Sequence, residues 1–315
     1  MAGSEINRFA EMETFVQVIE CGGLSAAARQ RQVTPSSVSK LLARLEARLG
    51  VRLLNRSTRQ LQLTPEGRGF YENSVRLLAD LREVEGEASS GRSPIGRVRV
   101  NTSASFGLHV LAPLLADFLE LYPAVSLDLV HSDALVDLLE QQIDVAIRTG
   151  PLTDSQLVAR KLGQTRGIIV ASPAYLARCG TPQVPGDLAR HHLLGFDYAR
   201  ALPGWRLGAE GQGSVVQPNG RVQASDGEAL RHLALHGVGL AQLAAFTIAD
   251  DLTAGRLVPV LESFNQAPVE SFYALYVGQG GHLPSRVRVF IDFLVQRVPL
   301  SFSLGGHWSA LPPDA

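Results

Sequence analysis

The stretch that decides the fold runs from Ser25 to Glu72 and reads SAAARQRQVTPSSVSKLLARLEARLGVRLLNRSTRQLQLTPEGRGFYE. Thr34 followed by Pro35 is a typical helix start, because a hydroxyl caps the free amides and proline suits the first helical position. Apolar residues then recur at helical spacing from Val38 until Gly50, a residue typical of helix ends. The stretch therefore predicts an amphipathic helix that begins at Pro35 and has one buried stripe and one polar face.

Shorter patterns flank this helix on both sides. An earlier helical pattern stops at Gly22-Gly23; its apolar members at helical spacing are Phe9, Met12, Phe15, Val16 and Ile19. A second helix is predicted to start with Ser25 as its N-cap. The three alanines after Ser25 add little bulk, so another helix can cross closely above them. Beyond Gly50, alternating residues over 60–63 and a polar, basic tip predict a two-stranded wing. Helix, tight turn, helix and wing together form a DNA-docking geometry, with the third helix in the major groove.

Positive charge is concentrated in this region. Between Arg29 and Arg59 there are eight basic residues and one acidic residue, Glu46, although the whole chain has a net charge of −1. A dense positive field on a folded surface favours a polyanionic partner. The alternative is an ordinary three-helix domain whose Arg-rich face only meets water. The concentration of charge on the two elements that would touch DNA favours the first interpretation.

A long helix is predicted after the wing. Thr64, Pro65 and Glu66 form another capped start, and the apolar pattern continues to about Ala88. Its wide apolar stripe requires a partner helix, and a two-fold dimer would place two recognition helices on successive half-sites. The Ser/Gly/Pro-rich segment 89–94 then marks the clearest domain boundary.

The quoted stretch resembles the winged helix-turn-helix of the LysR-type transcriptional regulators. The resemblance implies DNA contacts from the third helix and from the wing. The sequence departs from the family pattern at Arg31, where the pattern usually has a buried leucine. We expect the aliphatic part of Arg31 to cover the core and its guanidinium to reach a DNA phosphate. The alternative is that the arginine loosens the packing of the helix pair. The predicted DNA-binding residues are Ser25, Arg31, Thr34, Pro35, Ser36, Ser37, Ser39, Lys40, Arg44, Arg56, Thr58 and Arg59.

Strands and helices alternate in the remaining two hundred residues. The βαβαβ rhythm after Gly96 predicts a doubly wound sheet, and the strand 166–171 enters a second unit. Crossing strands between two such units would create a hinged cleft. The predicted strands are 97–101, 125–130, 143–147, 166–171 and 272–277, and the predicted helices are 106–122, 133–141, 173–179, 227–236 and 285–298.

The family resemblance continues over residues 96–298 and implies a fold like that of periplasmic binding proteins. Ala244 departs from the pattern, which usually has a proline there, and the tail 299–315 extends beyond the family's last helix with no assigned function. The predicted fold class is α/β overall, with an N-terminal winged helix-turn-helix and a two-lobed effector domain. The predicted domains are 1–64 for DNA binding, 65–90 for dimerisation and 91–298 for effector binding, with lobe 1 at about 96–166 and 268–298 and lobe 2 at about 167–267.

Polar residues follow several predicted strands of the effector domain. Hydroxyls and free amides at the start of a helix suit a carboxylate or another small anion. A small organic acid is therefore the hypothesis for the effector, although the same positions suit neutral polar ligands, and each residue could instead be a helix cap or an ion-pair partner. The predicted effector-binding residues are Thr102, Ser103, Ser105, Ser132, Arg148, Thr149, Ser225 and Asp226.

Composition restricts the other classes of protein. The two cysteines are too few for a disulfide scaffold. The start of the sequence has no apolar region like that of a secretory signal. The stretch taken as most apolar, 238–249, is shorter than a membrane-spanning helix requires. We therefore expect a cytoplasmic protein. No nucleophile elbow, Walker loop or zinc-protease motif occurs, so no catalytic residue, metal or cofactor is predicted.

The leading function is a DNA-binding transcriptional regulator that senses a small molecule. A solute-binding protein or carrier and an α/β-cleft enzyme are the alternatives; the missing export signal and basic wing argue against the first, and the missing catalytic set against the second. The expected partners are double-stranded DNA with a dyad operator, a second copy of the chain in a dimer or tetramer, the small-molecule effector and, by family resemblance, RNA polymerase. No membrane partner is predicted.

Overall fold

The protein is described here from a computed structural model of the chain. The structure describes residues 7–56, 61–88, 93–133, 138, 141–150, 157–198, 204–208, 213–278 and 283–298. Contacts within the chain separate two compact units, Met1–Gly96 and Arg97–Ala315.

The first unit consists of helices and one small hairpin. The prediction for the third helix is confirmed: it has Thr34 as N-cap, Pro35 in its first turn and Gly50 after its end, where φ is +72°. The fourth helix also begins at the predicted Pro65 and ends at Ala88. The elements are α1 (Arg8–Glu20), α2 (Leu24–Gln30), α3 (Pro35–Leu49), β1 (Leu54–Arg56), β2 (Leu61–Leu63) and α4 (Pro65–Ala88).

The core of this unit lies between α1, α2 and α3. Phe15 and Val38 are fully buried there, together with Leu42 and Leu45 of the predicted stripe. Ala27 and Ala28 are also buried, which agrees with the expectation that small side chains let a second helix approach closely. A larger side chain at Ala27 would overpack this contact.

Two details of the first unit differ from the sequence prediction. Ser25 is not the N-cap of α2: the helix begins one residue earlier, and Gly23 occupies the cap position without a side-chain hydrogen bond. Ser25 is instead an exposed residue of the first turn. Phe9, assigned to the apolar face of α1, is 49% exposed.

The second unit alternates strands and helices as predicted, but it contains more strands than the sequence indicated. Strands at 193–196 and 240–244 and the helix that follows the latter were missed, and most of the predicted helix 133–141 lies outside the described residues. The elements are β3 (Gly96–Thr102), α5 (Ala104–Phe106), α6 (Ala112–Leu121), β4 (Val125–His131), β5 (Val145–Thr149), β6 (Leu157–Ala171), α7 (Pro173–Cys179), β7 (Leu193–Phe196), β8 (Trp205–Leu207), β9 (Ser214–Val216), β10 (Gln223–Ala224), α8 (Gly227–Leu235), β11 (Leu240–Ala244), α9 (Ala245–Thr253), β12 (Val258–Pro259), β13 (Val269–Val277) and α10 (Ser285–Arg297).

One long strand, β6, joins two lobes. Up to Arg166 its residues pair antiparallel with β13, and from Gly167 onward they pair antiparallel with β11. The described strands follow the order β10-β7-β11-β6-β13-β5-β3-β4, with β12 beside the end of β6. Lobe 1 therefore contains β3, β4, β5 and β13, whereas lobe 2 contains β7, β10 and β11.

Each lobe has its own apolar core. In lobe 1, Phe118 and Phe290 pack edge to face between the sheet, α6 and the returning α10. In lobe 2, alternate residues of β6 enter two clusters: Ile168 packs under α8 and α9, whereas Ile169 packs with Tyr175 and Trp205. Because successive strand residues point to opposite faces, lobe 2 is a sheet covered on both sides.

A π-helical turn at Gly107–Leu111 links α5 and α6. The continuous segment Ala104–Leu121 has a mean hydropathy of 1.4 and is long enough to span a bilayer by length and composition alone. The sequence analysis was therefore wrong to take 238–249 as the most apolar stretch, since the Ala104–Leu121 segment is longer and passes the hydropathy criterion. Phe106, Leu111 and Phe118 of this segment are fully buried in lobe 1, which accounts for its apolar composition.

Candidate DNA-binding and effector-binding sites

The polar face of α3 is exposed as the sequence predicted. Pro35, Lys40 and Arg44 are exposed and Ser39 is half-buried. Short hydroxyls occupy the first turn and the two cations lie one turn apart. The helix therefore presents donors for phosphates and base edges with no bulky side chain in front of them.

Hydroxyl contacts organise the start of α3. The Thr34 side chain accepts a hydrogen bond from the Ser37 amide at 3.3 Å, and its oxygen lies 3.0 Å from Ser36 Oγ and 2.8 Å from Ser37 Oγ. All three residues are exposed. The capping contact fixes where the helix begins and hence which side chains share its exposed face.

Two arginines of the basic region instead contact α1. Arg48 donates from Nε and Nη2 to Glu11 Oε2 at 3.0 and 2.9 Å, and Glu11 is 5% exposed. Arg31 donates to Gln17 Oε1 at 3.0 Å and lies 3.7 Å from Glu13. Arg31 thus connects two helices, so the expectation that its head reaches a phosphate has no support in these contacts and stays a prediction.

The wing has the predicted hairpin strands. Leu54 pairs with Leu63 and Arg56 with Leu61 in antiparallel register. Arg56 ends β1, whereas Thr58 and Arg59 lie outside the described residues. Glu46, the acidic residue of the basic region, accepts hydrogen bonds from the Leu53 and Leu54 amides at 2.9 and 3.2 Å and so ties α3 to the first strand.

The turn from the wing into α4 depends on a glycine. A Cβ at Gly67 would lie 2.0 Å from the Leu53 carbonyl oxygen, a distance that no side chain tolerates. Thr64 completes the junction, because its hydroxyl donates to the Arg52 carbonyl at 2.7 Å and accepts from the Gly67 amide at 2.9 Å. Wing and α4 are therefore held in a defined relation within this unit.

A cleft of about 910 Å³ lies between the two lobes of the second unit. Segments that follow β3, β4 and β5 line one side, and segments around β7, α8 and β11 line the other. Thr102, by contrast, is fully buried and is not among the lining residues. The predicted residues that line the cleft are Ser103, Ser105, Ser132, Arg148, Thr149, Ser225 and Asp226.

Two of these residues also cap helices, as the alternative interpretation expected. Ser103 accepts from the Phe106 amide at 3.2 Å at the start of α5, and Asp226 accepts from the Ala229 amide at 2.8 Å at the start of α8. A Cβ at Gly227 would lie 2.9 Å from Ser105 Oγ, so the two helix starts approach each other closely. Capping and lining the cleft are compatible roles for these side chains.

Arg148 supplies a guanidinium to the cleft, the one found among the described lining residues. It donates to the side-chain oxygen of the buried Asn101 and, at 2.9 Å, to its own neighbour's carbonyl, that of Ile147. Burial lowers the pKa of Arg148, while the nearby Asp133 carboxylate and Tyr198 oppose that lowering. Because the half-buried Arg148 lines the cleft, an anionic ligand there could form a charge-assisted hydrogen bond with its guanidinium.

Sequence reasoning missed much of the lining. Asp133 and Asp197 come soon after strands and could have been found by the rule that identified Ser132. Thr165, Gln242 and Glu270 lie within β6, β11 and β13, where nothing in the local sequence distinguishes a cleft residue from any other strand residue. Apolar members were missed too: Phe196, Phe246 and Phe272.

Side-chain contacts also bridge the two lobes. The Tyr198 hydroxyl, from lobe 2, donates to Asp133 Oδ2 of lobe 1 at 3.2 Å. His109 Nε2 of lobe 1 lies 2.8 Å from Glu228 Oε2 of lobe 2, and Glu228 also accepts from Arg231 at 2.6 Å. Burial alone raises the pKa of Glu228, but its hydrogen bonds with His109 and Arg231 outweigh burial and the net pKa is lowered.

A winged helix-turn-helix unit and a two-lobed cleft domain on one chain define a class of regulators in which DNA binding and ligand binding share a polypeptide. Two family models match the corresponding parts of this chain: "Bacterial regulatory helix-turn-helix protein, lysR family" matches residues 9–68, and "LysR substrate binding domain" matches residues 91–299. The chain belongs to the LysR family of transcriptional regulators, whose members are regulators and not enzymes.

The similarity to named relatives and to solved structures extends over more than nine-tenths of the chain. The transcriptional regulator CrgA of Neisseria meningitidis is 40% identical over 91% of this chain and 96% of its own, and the activator AaeR of Escherichia coli is 34% identical over 92% and 93%. The structure of CrgA covers 95% of this chain and 99% of its own with a TM-score of 0.61. That of the virulence activator AphB of Vibrio cholerae is 31% identical and covers 91% and 98%, with a TM-score of 0.57.

Proposed function

We propose that this LysR-type regulator binds a dyad operator through α3 and the wing and is controlled by a small organic acid bound in the cleft. The observation that carries the effector assignment is the convergence of Ser103, Arg148 and Asp226, from three separate segments, on one cavity between the lobes. A cavity of this size suits a small ligand, and groups drawn from both lobes let a ligand alter the lobe orientation.

An acid is favoured by two features of lobe 1. The half-buried Arg148 offers a positive charge. Ser103 lies at the start of the 18-residue helical segment Ala104–Leu121, where free amides favour an anion. The proposed effector-binding residues are the seven that line the cleft. Thr102, which is buried and does not line the cleft, would support the neighbouring Ser103. Ligand binding would change the population of lobe orientations and so the spacing or bending imposed on the operator.

Calorimetry on the full-length chain tests the effector assignment. A panel of mono- and dicarboxylates and neutral polar metabolites is titrated into the wild type and into the double variant Ser103→Ala, Arg148→Ala. We expect acid binding in the wild type and at least about tenfold weaker binding in the double variant. Arg160→Ala, a change at an exposed arginine of β6 outside the cleft, is the control. Acid binding that persists unchanged in the double variant would remove these residues from the site.

The DNA-contact set is proposed on the exposure of the α3 face and the position of the wing. It consists of Ser25, Arg31, Thr34, Pro35, Ser36, Ser37, Ser39, Lys40 and Arg44 together with Arg56, Thr58 and Arg59. An electrophoretic mobility shift with a palindromic promoter library tests it. We expect the protein to bind DNA more weakly as salt is added. The logarithm of the binding constant should fall with the logarithm of the salt concentration, with a slope of about −0.9 per phosphate neutralised. Retention that does not respond to salt would contradict it.

Oligomerisation and the remaining partners belong to the same proposal. The α4 helix carries Leu77, which is 52% exposed, and we propose that 65–90 forms the dimerisation helix of a cytoplasmic dimer or tetramer. Residues 1–64 then bind DNA, residues 91–298 sense the effector, and RNA polymerase is a proposed contact at the promoter. Sedimentation analysis of Leu77→Lys should show a shift toward monomer, and an unchanged distribution would refute the role of α4.

A further inference from the structure

Two neutral polar side chains on the wall of the cleft each have a buried atom without a hydrogen-bond partner. Thr165 is 3% exposed, and its Oγ1 has no partner within the described residues. Nε2 of Gln242 is likewise buried without an acceptor in the described part of the chain. Both residues line the cleft. A buried polar atom without a partner is costly, so each of these atoms is a candidate ligand contact.

The two side chains lie on the same face of β6. Thr165 and Gly167 are two residues apart on this strand, so their Cβ positions point the same way. The Gln242 side chain lies over Gly167, because a Cβ there would be 2.9 Å from Gln242 Cγ and 3.0 Å from its Cδ. Thr165 and Gln242 also line a smaller cavity of about 40 Å³ beside the cleft. They are therefore close enough to contact one ligand group from two sides.

We infer that Thr165 and Gln242 are specificity-determining residues that select a hydroxy acid, whose hydroxyl group they bind while its carboxylate lies toward Arg148. A hydroxyl oxygen accepts a hydrogen bond from the Gln242 amide and donates its own proton to Thr165 Oγ1, so one group satisfies both atoms. A methyl group in that place would leave both atoms unsatisfied. This inference rests on the proposed effector function of the same cleft and adds the second polar group of the ligand.

The strand register sets the distance between the two polar ends of such a ligand. Thr149, the neighbour of Arg148 at the end of β5, lies opposite Phe272 of β13. Thr165 lies opposite Glu270, two residues away along β13. Two strand residues span roughly 7 Å. We therefore expect the carboxylate and the hydroxyl at the two ends of a spacer of about this length.

Aromatic side chains lie beside this span. Phe272 is 4% exposed and packs against Phe246 with ring centroids 5.3 Å apart, and both residues line the cleft. Phe196 lines the cleft from the other lobe. Such a wall favours an aliphatic chain or an aromatic ring as the spacer between the two polar ends.

Charges of both signs surround the Thr165 end of the cleft. Glu270 lines the cleft there, and Arg166 and Arg206 line the smaller cavity beside Glu270. Arg166 also pairs with Glu262. An ionised substituent would meet attraction and repulsion together at this end, whereas an uncharged hydroxyl depends on the two neutral side chains. The second polar group is therefore assigned as a hydroxyl and not as a second carboxylate.

Two matched trios of acids test the second polar group. Calorimetry on the full-length protein compares (4-methylphenyl)acetate, (4-hydroxyphenyl)acetate and 4-(carboxymethyl)benzoate, and then heptanoate, 6-hydroxyhexanoate and heptanedioate. Within each trio a terminal methyl group is replaced by a hydroxyl or by a carboxylate. We expect the hydroxy acid of at least one trio to bind about tenfold more tightly than both of its partners, because it satisfies Thr165 and Gln242 without adding a charge.

Variants of similar volume assign the preference to the two side chains. Thr165→Val and Gln242→Met each remove the polar atom, so each should bring the affinity for the hydroxy acid to within about threefold of that for its methyl partner. Gln164→Met is the matched control and should keep the preference, since Gln164 precedes Thr165 on β6 and is not among the described lining residues. The Tm of ligand-free Thr165→Val should not fall, because the hydroxyl it removes has no partner in the described part of the chain.

The outcomes separate this inference from the proposed function. Methyl and hydroxy acids that bind equally well, or a preference that survives in both Thr165→Val and Gln242→Met, would overturn the specificity role while keeping an acid-responsive regulator. Tighter binding of the dicarboxylates would overturn the choice of a hydroxyl, and a lowered Tm of Thr165→Val would show that this hydroxyl is bonded within the fold. If no acid of either trio or of the wider panel binds the folded protein, both proposals fail. Preference for the hydroxy acid, lost in both variants and kept in Gln164→Met, supports the inference.

Discussion

The exposed face of α3 and the cleft of the second unit both gather polar side chains, but they do so in opposite ways. On α3 the hydroxyls and cations come from one helix and its cap, and most of them are exposed to solvent. In the cleft the polar groups come from at least six segments, and several are buried. The first surface suits a long, highly charged partner, whereas the second suits a small ligand that is itself enclosed.

The two regions also differ in how their charges are compensated. Within the basic region, Arg48 and Arg31 contact acidic or amide side chains of α1, whereas Lys40 and Arg44 are exposed. The net charge of a sequence window therefore overstates the charge that is available to DNA. Among the described residues that line the cleft, by contrast, charges of both signs share one cavity: four carboxylates and one guanidinium.

The largest expected effect tests the α3 face directly. Lys40→Glu should weaken specific and non-specific DNA binding together, by about a hundredfold at low salt, because it removes a phosphate contact and adds repulsion. Mobility shifts over a salt series measure it. Lys161→Glu is the matched control, since Lys161 is the other lysine of the chain and lies exposed on β6. Unchanged retention by Lys40→Glu would refute the role of this helix.

A pair of arginine variants separates folding from DNA contact. Arg48→Ala should destabilise the first unit by about 2 kcal/mol, because it leaves the buried Glu11 without its ion-pair partner. Arg44→Ala, one turn away and exposed, should leave stability within about 0.5 kcal/mol and weaken DNA binding instead. Urea unfolding and mobility shifts on both variants check this. Equal stability of the two variants would show that the Glu11 contact contributes little.

The cap of α3 gives a smaller effect. Thr34→Ala should reduce the free energy of unfolding by about 1 kcal/mol, since the Ser37 amide loses its acceptor. Thr34→Ser keeps a hydroxyl and should recover most of that loss. Thermal unfolding followed by circular dichroism measures both. A full effect in the Ser variant would place the contribution in the threonine methyl group and not in the cap.

The smallest effect concerns pH and the contact between the lobes. The pKa of Glu228 is lowered below its usual 4.5, so its charged form contributes stability above that pH and the contribution is lost as the pH falls through the lowered value. Glu228→Gln should therefore flatten the acid decline in stability below pH 4.5 by about 0.5–1 kcal/mol. Unfolding curves between pH 3 and pH 7 test this, with Asp292→Asn as the exposed control. An acid decline as steep as that of the wild type would contradict it.

The sequence analysis was most accurate where local chemistry decides the structure. It placed the starts of α3 and α4 at the correct residues, because a hydroxyl followed by proline restricts the backbone within three positions. It misplaced the start of α2, where Gly23 occupies the cap position and Ser25 follows inside the helix. It missed β7 and β11, short strands that packing within lobe 2 stabilises more than any local pattern does.

The sequence alone determined the starts of α3 and α4, the polar face of α3 and the resemblance to the LysR family, because local motifs carry each of them. Only the tertiary structure decided that Arg48 pairs with Glu11 and that Thr165 and Glu270 meet at the cleft. The physical reason is that these contacts join segments far apart in sequence, through strand register and helix packing. The burial and the charge pairing that result from these contacts therefore cannot be predicted from neighbouring residues in the sequence.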